Sequence, residues 1–134
     1  MTNLWVDANI LLRLITNDPL DLAERSTRLV QRAEQGDITL RVSPLVVAEI
    51  VWVLNSFYKY SRTQVAEVLI PLLTSEGLLL ENSDQIIAAL EQMATVNVDF
   101  ADAYLAEIAR QQGEAVVSFD RDFRKLNISW IDPE

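Results

Sequence analysis

The chain has 134 residues, with 20 Asp and Glu against 11 Lys and Arg, a formal net charge of −9, and neither histidine nor cysteine. Without those two residue types a Ser-His-Asp triad, a Cys-His pair, imidazole or thiolate metal sites and disulfides are all excluded. Any hydrolysis must run on carboxylates, hydroxyls, Lys, Arg or a metal held by oxygen, and the acidic balance argues against loose nucleic-acid binding but not against one local basic patch or a cation that inverts the sign at one site.

A chain of this length is expected to form one domain, 1–134, with a core large enough to need no staple. The N-terminal "MTNLWVDANILLRL" has no basic lead and is interrupted by Asp7, so it does not read as a signal peptide. The apolar run "LVVAEIVWVL" (45–54) is too short to cross a bilayer and carries Glu49, which makes the expected location the cytoplasm.

In chain order, "NLWVD" (3–7) is a short apolar run with a polar break, as expected of a buried strand. "NDPLD" (17–21) predicts a helix start with Asp18 as cap, Pro19 in the first turn and Asp21 near the positive dipole end. Gly36 should end that helix, and "ITLRV" (38–42) is a second strand. Ser43 and Pro44 restart a helix, and "SRTQ" (61–64) is a capping box for another, bent and stopped by Pro71 and Gly77. Ile86, Ile87, Leu90, Met93 and Ala94 follow a helical stripe, as do Ala101, Leu105 and Ile108 before Gly113. "AVVSF" (115–119) and "ISWI" (128–131) complete the strands, leaving 43–112 as a helical middle. The fold class that follows is α/β, a parallel sheet with helices on both sides.

Asp7 closes the first strand and Asp120 follows "AVVSF", so both fall at strand carboxyl ends, where open parallel sheets bind ligands. Each also has an ordinary structural role available, Asp7 as a helix cap and Asp120 as a turn residue. Glu49 lies in "PLVVAEIVWVLNSFY", apolar on nearly every side, where a carboxylate needs a metal, a salt bridge such as Arg13, or the rim of an interface. In "NVDFADAYLAEIA" Asp99 is placed to cap a helix, while Asp102 falls at its third position and is free to serve a site. Asp7, Glu49, Asp102 and Asp120 together make an all-oxygen donor set suited to Mg²⁺ or Mn²⁺, able to activate water and clamp a phosphate. Phosphodiester hydrolysis is the reaction class that this set suggests.

"VDANILLRL", "SPLVVAEIVWVL", "DFADAYLAEIA" and "VVSFDRDFRKL", taken in order, resemble the successive signatures of PIN-domain ribonucleases, most nearly the VapC-like toxins of prokaryotic toxin–antitoxin pairs. The resemblance implies a three-layer α/β/α fold with a central twisted parallel sheet, an acidic Mg²⁺ or Mn²⁺ site, cleavage of single-stranded RNA, an antitoxin partner and a homodimer. It assigns the family's acids to Asp7, Glu49, Asp102 and Asp120 and its small polar positions to Asn9 and Ser118, while Asp99 and Asp122 either assist or replace a neighbour as the ligand. Candidates for holding RNA are Arg13, Lys59, Arg62, Arg121, Arg124 and Lys125, of which Arg121, Arg124 and Lys125 directly follow Asp120. A receiver-type phosphoacceptor or a D-x-D phosphatase would need an acidic pair after the first strand, and Asn9 stands in its place. A catalytically silent module of the same fold, binding RNA or protein, remains the alternative. The apolar surplus of 45–58, together with Val65, Val68, Leu69, Leu72 and Leu73, predicts a dimer interface on two helices.

Overall fold

A computed structural model describes residues 2–133. Three parallel strands form one sheet in the order β1 (Thr2–Trp5), β2 (Ile38–Val42), β3 (Leu78–Leu80). Register pairs Trp5 with Arg41 and Val42 with Leu80, so the carboxyl ends of all three lie on one edge. Two helices fill each connection: α1 (Ala8–Thr16) and α2 (Leu20–Glu34), then α3 (Pro44–Ser56) and α4 (Arg62–Leu73), then α5 (Ser83–Val96) and α6 (Phe100–Gln112). β4 (Val116–Val117) and β5 (Trp130–Ile131) pair in parallel as a separate sheet, joined by a 3₁₀ helix over Arg121–Leu126. The architecture is therefore α/β with parallel strands flanked by helices. Among the described residues no helix is long and apolar enough to cross a membrane.

Local chemistry accounts for most boundaries. Ser43 accepts the Val46 N–H at 3.2 Å with Pro44 entering α3. Ser61 and Gln64 close a reciprocal box at 3.1 and 2.8 Å, satisfying two amides that the start of α4 would otherwise leave open. Gly36 and Gly113 end α2 and α6 at positive φ. Isoleucine, leucine and valine at 38, 40 and 42 put the central strand at the heart of the core, with Val47, Ile50, Leu54, Leu69, Ile86, Leu90 and Met93 packed in the same cluster.

Four expectations are corrected. Asp18 does not cap α2: Pro19 occupies that position, and the Asp18 carboxylate instead accepts the Tyr58 hydroxyl at 3.0 Å. The helical middle is broken by β3, whose three leucines lack the β-branching that marks a strand; its entry at Gly77 is forced by packing, since a Cβ there would lie 2.5 Å from the Ala33 carbonyl carbon. β1 is exposed rather than buried, because it is an edge strand that β4 does not extend. α6 buries Phe100, Ala103, Ala106 and Ala109, leaving Ala101, Leu105 and Ile108 outward: small alanines allow close approach to α5 and win over the bulkier stripe.

Candidate metal centre

Asp102 stands at the third position of α6, half-buried, where the helix dipole favours an anion. Burial raises its pKa above the ordinary carboxylate value, and Asp99, Asp120 and Asp122 raise it further as like charges. Its carboxyl and that of Asp120 lie close enough to form a hydrogen-bonding pair when one is protonated. Asp120 is held from behind: its Oδ1 accepts the Asp122 N–H at 2.9 Å, and its own N–H donates to the Ser118 hydroxyl at 3.0 Å. The Ser118 carbonyl in turn accepts the Trp130 indole N–H at 2.9 Å, while Phe123 and Leu126 pin the following 3₁₀ turn into the core. Ser118 thus holds the Asp120 backbone through its hydroxyl while Trp130 anchors Ser118 through its carbonyl.

Asp99 occupies the N-cap position of α6 without the expected side-chain bond to the helix amides. Its carboxylate contributes charge to Asp102 instead. Asp122 faces the same group and makes an ion pair with Lys125 at 3.5 Å.

Asp7 caps α1, its Oδ1 accepting the Ile10 N–H at 3.2 Å, and is exposed at the carboxyl end of β1. Capping uses one carboxylate oxygen and leaves the other free. Asp7 is not among the charges acting on Asp102. β4 does not pair with β1, so the strand ends that carry Asp7 and precede Asp120 are not neighbours in a ladder. Asn9 accepts from Arg13 Nη2 at 3.3 Å, and Arg13 Nη1 donates to the Asp18 carbonyl at 2.9 Å.

Glu49 departs most from its sequence reading. It is exposed, on the outer stripe of α3 with Leu45, Trp52 and Ser56, while Val47, Ile50, Val51 and Leu54 face the core. Arg13 bonds Asn9 and Asp18 instead. The donor chemistry of these acids suits a hard cation, since every candidate ligand is a carboxylate oxygen. Among the described residues, however, no three acids stand together as a ligand set, and only Asp102 and Asp120, with Asp99 and Asp122 nearby, are brought together.

Sequence reasoning missed the cavity beside Asp7. About 410 Å³ in volume, it is bordered by Asp7, Arg13 and Arg25, with Ile10, Leu22 and Leu29 as its apolar wall. A second, of about 420 Å³, lies between Trp52, Arg62 and Asp99. Among the basic candidates, Arg62 is tied to the Asn97 carbonyl and side chain, and Arg124 to the Arg121 carbonyl. The helical spacing of the α2 arginines could have flagged the first cavity, but surface arginines on a polar helix read as solvated.

The model of the PIN domain family matches residues 4–128. A VapC ribonuclease of Aquifex aeolicus (strain VF5) is 26% identical over 129 residues, covering 96% of this chain and 95% of that protein.

Proposed function

This chain belongs to the PIN-domain family, and from that premise we propose that it is a Mg²⁺- or Mn²⁺-dependent endoribonuclease acting on single-stranded RNA. The observation that carries this reading is the Asp102–Asp120 pair, two carboxylates close enough to raise the pKa of Asp102, with Asp99 and Asp122 beside them and, among the described residues, no ion pair to either member of the pair. Such a group repels itself unless a proton or a cation intervenes. A divalent ion bound there would polarise a phosphodiester and lower the pKa of water beside it. Asp102 and Asp120 are the ligands of this proposal, Asp7 supplies its free oxygen from the end of β1, and Glu49 joins from α3. Ser118 and Asn9 hold their neighbours in place, and Asp99 and Asp122 strengthen the negative field. Arg13, Arg121, Arg124 and Lys125 contact the RNA backbone.

The same proposal makes the protein the toxin of a toxin–antitoxin pair in the cytoplasm, with a cognate antitoxin and a second copy of itself as partners. The outer face of α3 supports the dimer, with Leu45, Trp52 and Phe57 exposed by 79, 68 and 72%. α4 contributes less than its composition suggests, because Val65, Leu69 and Leu73 are buried within the subunit. A silent binding module is favoured by one feature, the exposure of Asp7 and Glu49. RNA cleavage with Mg²⁺, Mn²⁺ or EDTA, comparing wild type with Asp7→Asn and Asp102→Asn, separates the two. Metal-dependent cleavage lost in both variants supports the nuclease; no cleavage by wild type with either ion defeats it.

A further inference from the structure

α2 buries Ala23, Ser26, Val30 and Ala33 on one face. At 100° per residue, Arg25, Arg28 and Arg32 fall together on an adjoining arc, next to the edge where Leu22 and Leu29 border the cavity at Asp7. All three arginines are exposed. Asp21 and Glu24 stand four residues before Arg25 and Arg28, the arrangement that ordinarily closes helix salt bridges. Neither pair closes here: among the described residues the ion pairs are Arg110–Glu107 and Lys125–Asp122, and no side-chain hydrogen bond is made by Arg25, Arg28 or Arg32. In a chain of net charge −9, three of eleven basic residues thus stand unpaired along one edge. From Arg25 to Arg32 the helix advances about 10 Å, enough to face more than one phosphate of an extended strand.

We propose that this arginine edge of α2, with the cavity that runs from Arg25 to Asp7, binds the backbone of single-stranded RNA on one side of the acidic centre. Guanidinium groups pair with phosphate oxygens in two-pronged fashion, which ammonium groups do not. The apolar wall of Ile10, Leu22 and Leu29 receives a base from the same strand, and Arg13, already fixed by Asn9 and Asp18, closes the cavity floor. Charge complementarity is what selects nucleic acid: in a protein of net charge −9, a row of unpaired arginines is a local exception that favours a polyanion. The inference rests on the ribonuclease reading and extends it to residues outside the acid cluster.

The test uses the full chain carrying Arg25→Gln, Arg28→Gln and Arg32→Gln together, and a fluorescein-labelled oligouridylate read by anisotropy in EDTA. Glutamine keeps helix propensity, so an unchanged urea midpoint is the control for folding. The variant should bind at least tenfold more weakly at low salt, and its log–log salt dependence should be shallower by about 2, near 0.7 for each lost phosphate contact. In cleavage with Mg²⁺ its KM should rise while kcat stays near wild type. The triple Arg→Lys variant should recover the salt dependence but not the full affinity. Wild-type binding and cleavage with no change in the glutamine variant would overturn the arginine edge alone. No binding or cleavage by wild type would remove the ribonuclease reading and this inference with it. Lost affinity for poly-glutamate with unaltered RNA affinity would reassign the edge to an acidic protein and overturn it as well.

Discussion

Replacing Asp7 by asparagine and by alanine separates two roles that one side chain combines. The Asp7 Oδ1 accepts the Ile10 N–H at 3.2 Å, and the residue is exposed. Asparagine offers the same carbonyl oxygen and is as good an N-cap as aspartate, so Asp7→Asn should lose only the charge–dipole part, about 0.3–1 kcal/mol. Asp7→Ala removes the cap bond too and should cost about 0.5–2 kcal/mol. In a chain of this size each kcal/mol moves Tm by about 4 °C, so the variants should be ordered wild type, Asn, Ala. Cleavage should fail in both, because neither replacement supplies a carboxylate to a cation. Mg²⁺ should raise the Tm of wild type by mass action and raise that of neither variant. Urea unfolding, a thermal melt with and without Mg²⁺, and one RNA assay give all three readings. An Asp7→Asn protein that cleaves at the wild-type rate would refute the ligand role, and equal stability of Asn and Ala would refute the cap.

Asp102 carries a raised pKa in the folded state, so its relative contribution is fully present below the unfolded value near 3.8 and is lost as pH rises through the folded one. Asp102→Asn should therefore raise the urea midpoint of the metal-free protein at neutral pH, and that advantage should vanish in acid; a variant less stable at pH 7 would contradict it. Asp99→Ala, lacking a cap bond to lose, should change stability by only a few tenths of a kcal/mol, against the ~1 kcal/mol typical of a working cap, as measured by urea unfolding. Gly77→Ala should cost about 1–2 kcal/mol for a side chain at φ +88° and about 1–3 kcal/mol more for the collision with Ala33, read in the same way. Light scattering at micromolar concentration should find a dimer, and Trp52→Glu should give a monomer with an unchanged helical spectrum.

The sequence was most informative where one local signal acts alone. Ser43–Pro44, the Ser61–Gln64 box, Gly36 and Gly113 each fix a boundary through a bond or a dihedral that neighbours do not contest. It failed where two readings of one pattern differ only in tertiary contact. "LLL" after Gly77 suits a helix or a strand, and only the place beside β2 decides it. In α6 the leucine and isoleucine stripe looked like the buried face, yet the alanine stripe is buried because α5 lies close against it.

The candidate site divides along the same line. Asp102 and Asp120 were legible because a helix start and a strand end place them whatever the rest of the chain does. Glu49 was read from the apolarity of its helix, which says that some faces are buried but not which. Its stripe with Leu45 and Trp52 is exposed in the monomer, so an interface with a second copy would restore the apolar surroundings that its neighbours imply. On that argument the environment of Glu49 belongs to the dimer rather than to the isolated fold. Its part in catalysis should then follow the oligomeric state, with Trp52→Glu weakening metal-dependent cleavage. A monomeric Trp52→Glu protein with full activity would leave Glu49 an ordinary surface residue.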